Sequence, residues 1–287
     1  MKILNIGSIN IDYVYEVDDF VKSGETIPSN NFKVFLGGKG LNQSVALAQA
    51  GSQVFHAGNI NIKDDNIKKE LIKWNVNVDN IKEVNDSTGH AIIQVNKDGE
   101  NSIIIHGGAN KAIESNQIDI ILENFNQGDI LLLQNEINKI PEIIEKANKK
   151  GMKIFFNPAP MTKEVLNYPL NLVDCLIVNE SESKKLTRKN VDFDEIINLL
   201  KNKYSNTSIL LTLGEKGSIY SSKKKNFKCK AVKVKAIDTT AAGDTFIGYF
   251  ISSLSRDNKV EDCLSMASKA ASICVTKKGG AISIPKI

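Results

Sequence analysis

The chain has 287 residues, enough for one large α/β domain or two small ones around a substantial core. Hydrophobic residues make up 41% and charged residues 24%, an ordinary globular composition that excludes the disordered class. The net charge of +4 comes from 37 basic against 33 acidic residues, too even a balance to imply nucleic acid and compatible with a small anionic ligand.

In chain order, short β-branched runs alternate with helical patterns, which predicts a parallel sheet covered by helices. "KILNIGSI" reads as the first strand and is followed by "NID", Asn10 to Asp12. An amide beside a carboxylate suits vicinal hydroxyls, although a lone Asp also fits an ordinary turn. "YVYEVDDF" with "SNNFKVFLGG", and later "TGHAIIQVNKDGENSIIIHGG", read as antiparallel strands outside the main sheet, a natural lid that keeps water from a reactive phosphate. The lid insertions span about 12–36 and 88–107 of a single domain covering 1–287. "GGKGLNQ", Gly37 to Gln43, opens a helix, either as a tight turn or as a backbone cradle with Lys39 and Asn42 as hydroxyl donors. "SQVFHAGNI" is a strand, and a helix runs through Ile67, Leu71 and Trp74.

The second half holds the strands "DILLLQNE", "KIFFNPAP", "VDCLIVNE" and "SILLTLGEKGS", apolar enough to be buried on both faces, with a helix ending near Lys150 after the first of them. Each ends in polar or glycine-rich residues: Asn135-Glu136, Asn157-Pro158, Asn179-Glu180 and Gly214 to Gly217. In open α/β sheets ligands sit outside the carboxyl ends of the strands, so these endings mark the place for a site. The lysine run Lys223 to Asp238 reads as a strand pair with one wet face. "TTAAGDTF", Thr239 to Phe246, carries two readings: Asp244 is a helix N-cap, or it is a proton acceptor beside an anion held by the backbone of Ala241, Ala242 and Gly243.

The absences narrow the chemistry. There is no GxxxxGK[ST] loop, no GxGxxG after the first strand and no GxSxG elbow. His56, His90 and His106 stand apart, and Cys175, Cys229, Cys263 and Cys274 form no CxxC pair, so no metal cluster is expected and the thiols read as reduced. "MKILNIGSIN" lacks the apolar core of a signal peptide, and no stretch reaches membrane-span length, so the expected location is cytoplasmic.

"GSINID", "GGKGLNQ", "GGAN", "LLLQNE", "NPAP", "VNESE", "TLGEKG" and "DTTAAGDTF" occur in the order found in the ribokinase-like carbohydrate kinase family, and the chain resembles that family from its first strand to "SIP". The resemblance implies a three-layer α/β/α sandwich with a mainly parallel central sheet and a small β-sheet lid. It implies ATP as phosphoryl donor and Asp244 as the base that activates a sugar hydroxyl, with Ala241, Ala242 and Gly243 forming the anion hole. Asn10, Asp12, Gly38, Lys39, Asn42 and Glu136 match the residues that hold the sugar. Asn179 and Glu182 match the motif positioning magnesium and phosphate through water, Thr212, Gly214 and Gly217 the nucleotide loop, and Ser268 the adenine contact. A potassium site would draw on Asp238, Thr240, Cys274, Lys277, Gly279 and Ser283.

Within the family, Gln43 is similar to the kinases of unphosphorylated sugars, which points to D-ribose O5, with 2-deoxyribose as the near alternative. A sugar-binding sensor without turnover is the reading from another class; loss of the base would be its signature. Family members commonly continue past "SIP" with a final helix that this sequence does not include, and Ser268 is smaller than the side chain often found there. A homodimer through the exposed lid edge is expected.

Overall fold

The computed structural model describes residues 1–223 and 225–287. Nine strands form the main sheet: β1 (Ile3–Ile6), β4 (Val54–Asn61), β5 (Asn77–Val84), β8 (Ile130–Gln134), β9 (Lys153–Asn157), β10 (Cys175–Asn179), β11 (Ser208–Thr212), β12 (Ser218–Ser221) and β13 (Asn226–Cys229). Their order is β13-β12-β11-β10-β9-β8-β1-β4-β5. The ladders from β5 to β11 are parallel, and β12 and β13 are added antiparallel at one edge. The chain grows outward from β1 in both directions, so the order reverses between β1 and β8, where open α/β sheets leave a ligand crevice.

Helices cover both faces because successive strand residues point to opposite sides. Leu132 of β8 joins the apolar cluster of α1 (Lys39–Gln49), α7 (Ala242–Leu254) and α8 (Val260–Cys274). Its neighbours Leu131 and Leu133 join the cluster of α3 (Ser115–Glu123), α4 (Ile140–Lys149), α5 (Glu180–Thr187) and α6 (Phe193–Lys203). Three layers follow, as the resemblance implies. The remaining helix, α2 (Asn66–Lys73), carries Ile67 and Leu71 into the first cluster, with Trp74 just beyond its end and half-buried.

The lid is a separate four-stranded sheet, β3 (Asn31–Gly37), β2 (Asn10–Glu16), β6 (Gly89–Val95) and β7 (Asn101–His106), in that order. Each hairpin is antiparallel as expected, but the central pair β2–β6 is parallel. Both β2 and β6 begin where the chain leaves the main sheet on the same side, so they run outward together. A second departure concerns the lysine run. Only Asn226–Cys229 joins a ladder, and residues 230–238 follow an irregular path toward α7; Lys224 lies outside the described residues. All four cysteines are free, three of them buried. No helix among the described residues is long and apolar enough to cross a membrane.

One contact sets the position of α7. An added Cβ at Gly248 would press on Ala46 and lie 2.8 Å from Leu47 N, so its absence lets α7 touch α1. One turn earlier on both helices, four residues back, stand Asp244 on α7 and Asn42 and Gln43 on α1.

Candidate active site

Asp244 is not the cap of its helix. Ala241 holds that position with φ 59°, in the left-handed region, and Asp244 is the third residue of α7. Its carboxylate turns toward α1, where Gln43 Nε2 donates to Oδ1 at 2.8 Å and Asn42 Nδ2 donates to Oδ2 at 3.2 Å. The local turn explains the small residues before it. Ala242 N donates to Thr239 O at 3.2 Å, while the N–H groups of Gly243 and Asp244 have no partner inside the helix. Gly243 is exposed, and an added Cβ there would meet nothing within 4 Å. Open backbone N–H groups at a helix N-terminus favour an anion.

The residues expected to hold the sugar gather around Glu136 and the start of β2. Glu136, just beyond β8, accepts from the Ser8 hydroxyl and from Lys39 N at 2.9 Å. Asn10 opens β2, and its Oδ1 accepts from Asn110 Nδ2 at 2.8 Å. Asp12 lies two residues further along β2, on a strand and not in a turn. Its carboxylate occupies the space over Gly37 that a side chain would take. Gly38 caps α1 at φ 90°, a conformation open to glycine, with its Cα beside Asn10 N and Ser8.

The electrostatics tie these residues to Asp244. Burial, and then repulsion by Glu136, raises Asp12 to about 6. The Lys39 ammonium is held above its usual value chiefly by Asp244, and further by Glu136 and Glu182, against the opposing effect of burial. One cation therefore serves three carboxylates across the crevice.

The residues expected to meet the nucleotide sit along the carboxyl ends of β10 and β11, where Asn179 and Thr212 are register partners. Asn179 and Glu182 form a capping box on α5: Asn179 Oδ1 accepts from Glu182 N at 2.8 Å and Glu182 Oε2 accepts from Asn179 N at 3.0 Å. Burial raises the Glu182 carboxyl despite the bond from Asn179 N and the nearby Lys39. Gly214 and Gly217 bound a single helical turn at φ 56° and 101°, and an added Cβ at Gly217 would strike Cys229 O. Ser268 Oγ donates to Lys230 O at 3.4 Å, so it flanks the same end of β13 as Gly217.

The third group also assembles. Asp238 accepts from Thr240 N and Gly279 N, each at 2.9 Å, and these N–H bonds outweigh burial to hold its carboxyl below the usual range. Cys274 Sγ lies 3.7 Å from Thr240 O and 3.1 Å from Ser283 Oγ, and Lys277 N donates to Cys274 O at 3.1 Å. Apart from the Cys274 thiol, which lies between two of them, the donors are one carboxylate, a hydroxyl and backbone carbonyls, a set suited to a hard monovalent cation. Among the described residues no group of three or more His, Cys, Asp or Glu side chains forms a metal site.

Ser8, Asn110, Gln134 and Asn157 lie inside the quoted motifs but were given no role in the sequence reading, and Gln43 was singled out only for the class of sugar; the structure places them around Glu136, Asn10 and Asp244.

Comparison with known proteins agrees over the whole length. The family described as pfkB family carbohydrate kinase matches residues 1–287. A ribokinase of Haemophilus influenzae is 35% identical, over 98% of this chain and 94% of its own. A deoxyribokinase of Salmonella typhimurium is 34% identical over 100% and 96%. The structure of Arabidopsis thaliana ribokinase complexed with ribose and ATP superposes with a TM-score of 0.85 at 29% identity, covering 99% of this chain and 95% of that one.

Proposed function

The chain belongs to the pfkB family of carbohydrate kinases, and from that premise we propose that it transfers the γ-phosphate of ATP to O5 of D-ribose, with one kinase domain over 1–287. The observation that carries this reading is a buried carboxylate in the first turn of α7, Asp244, which shares the Lys39 ammonium with Glu136 and Glu182. Asn10, Asp12, Gly38, Lys39, Asn42 and Glu136 bind the sugar. Asp244 takes the hydroxyl proton as that oxygen bonds to the γ-phosphorus, the bond from phosphorus to the bridging oxygen breaks, and ADP leaves with its electron pair. The turn from Ala241 to Gly243, with the Gly243 N–H open, meets the charge that develops. Thr212, Gly214, Gly217 and Ser268 receive the nucleotide.

Magnesium is expected with ATP, where it would shield the charge of the phosphates. Glu182 fits it through water, since one carboxylate oxygen is used in the capping box and the other is left. Potassium fits the oxygens of Asp238, Thr240, Cys274, Lys277, Gly279 and Ser283, where it would steady the loop into α7. A homodimer through the lid is supported by an exposed apolar row across that sheet, Val34, Ile92 and Ile104 flanking Tyr13. The free thiols fit a cytoplasmic location.

The Salmonella relative favours 2-deoxyribose as the second reading. Phosphorus NMR of the product from ribose and ATP tests the first: a phosphomonoester coupled to the C5 protons supports it, and a phosphate on O1 refutes it.

A further inference from the structure

A chain of buried amides runs from Asp244 into the sheet, and backbone carbonyls set its direction. Asn157 Nδ2 donates to Ile177 O at 3.0 Å and Asn5 Nδ2 donates to Gly40 O at 2.7 Å. A carbonyl only accepts, so both amides must turn their nitrogen to the backbone and present their oxygen elsewhere. Asn5 Oδ1 then takes Gln134 Nε2 at 3.0 Å, and Asn157 Oδ1 takes Gln43 Nε2 at 3.3 Å. Gln134 Nε2 also donates to Gln43 Oε1 at 2.6 Å.

Both ends of the fully buried Gln43 are thereby committed, and its NH2 has one direction left, toward Asp244 Oδ1. At the far end Asn5 Nδ2 donates to Ser44 Oγ at 2.8 Å, which leaves the Ser44 proton for His56 Nδ1 at 2.8 Å and makes His56 the neutral Nε2–H tautomer. Gln134 Oε1 is left without a partner. The network leaves an acceptor unpaired and keeps its polarity.

The other oxygen of Asp244 is held differently. Its Asn42 contact is the longer one, and Asn42 Oδ1 has no partner, so no hydrogen bond at that oxygen holds the amide in place. We propose that Gln43 is a positioning residue that confines proton acceptance by Asp244 to Oδ2, by keeping against Oδ1 an N–H that cannot be turned away. The inference rests on Asp244 being the base. In the transfer step Oδ2 takes the hydroxyl proton as the Asn42 amide swings to the sugar, and Oδ1 remains bonded to Gln43 throughout.

The test is the pH dependence of kcat with ribose and ATP. Gln43→Met removes the donor at similar volume and leaves Oδ1 open to the proton. The acid limb should move up by about one pH unit and kcat should fall about 10- to 100-fold, with the sugar KM little changed. Gln134→Met keeps the donor but releases the Gln43 oxygen, and should move the limb less in the same direction. An unmoved limb in folded Gln43→Met, or a raised KM with kcat and limb intact, overturns the proposal. If Gln43→Met does not fold, Gln134→Met decides by the same limb. Asp244→Asn separates the levels: retained turnover there removes the base and this inference with it, whereas lost turnover beside an unmoved Gln43→Met limb removes the inference alone.

Discussion

Replacing Asp12 by Asn should stabilise the protein while weakening its grip on sugar. The carboxyl is raised from 3.8 to about 6 by burial and by Glu136, so at neutral pH its charge opposes folding. A shift of that size corresponds to about 3 kcal/mol above pH 6, falling to roughly half that at pH 5 and to nothing below the unfolded value. Asp12→Asn keeps the shape and removes the charge. Denaturant unfolding should therefore give a gain of about 1–3 kcal/mol at pH 7 that shrinks as the pH falls toward 4. His56 supplies a second, opposite slope. Burial lowers it from 6.5 to about 4, while the Gly7 carbonyl facing the ring pulls weakly the other way. The folded state then binds fewer protons than the unfolded one, and stability from this group is lost as pH falls from about 6.5 toward 4. In the wild type the two slopes offset each other; in Asp12→Asn the opposing Asp12 slope is gone, and the net dependence should tilt toward that of His56. Meanwhile the loss of a charged acceptor should raise the sugar KM about 10- to 100-fold. A variant no more stable than wild type at pH 7, or a gain independent of pH, would refute the reasoning.

Asp244→Asn keeps the bulk and loses the proton acceptor, so kcat should fall by about three orders of magnitude while calorimetric ribose binding persists; wild-type turnover in the folded variant would exclude the base. Gly248→Val pushes α7 from α1 and should cost about 1–3 kcal/mol by denaturant titration, with kcat reduced about 100-fold as Asp244 moves from Asn42 and Gln43. Full stability and activity there would show that the contact is dispensable. Exchanging potassium for tetramethylammonium should lower kcat and also lower the melting temperature, the second reading being independent of turnover; a melting temperature unmoved by potassium would argue against the site at Asp238.

The parallel strands were legible because burial on both faces writes itself as apolar runs, as in "ILLLQ" of β8. The crevice was legible from strand ends such as Asn179 and Glu136. The parallel pairing of β2 with β6 was not, since the lid hairpins lie far apart in sequence and local alternation carries no information about which strands meet. The lysine run misled for a related reason: alternation at Ala231 to Val234 satisfies a strand pattern, yet no neighbour is there to complete a ladder. Asp244 shows the limit of spacing most clearly. "GDT" before an apolar run looks like a cap, and it is the packing of α7 on α1, close at Gly248, that brings the carboxylate beside Gln43 and Asn42. For the same reason Gln43 and Gln134 could not be paired from sequence, being 91 residues apart and joined through a buried amide chain.

The account stands most directly on one measurement: kcat/KM from ADP release with magnesium and potassium present, for ribose, 2-deoxyribose, fructose and adenosine in parallel. Clear preference for ribose is the predicted result. Preference for 2-deoxyribose would keep the mechanism and change the substrate, while no sugar-dependent ADP release from any of the four would contradict the account at its centre.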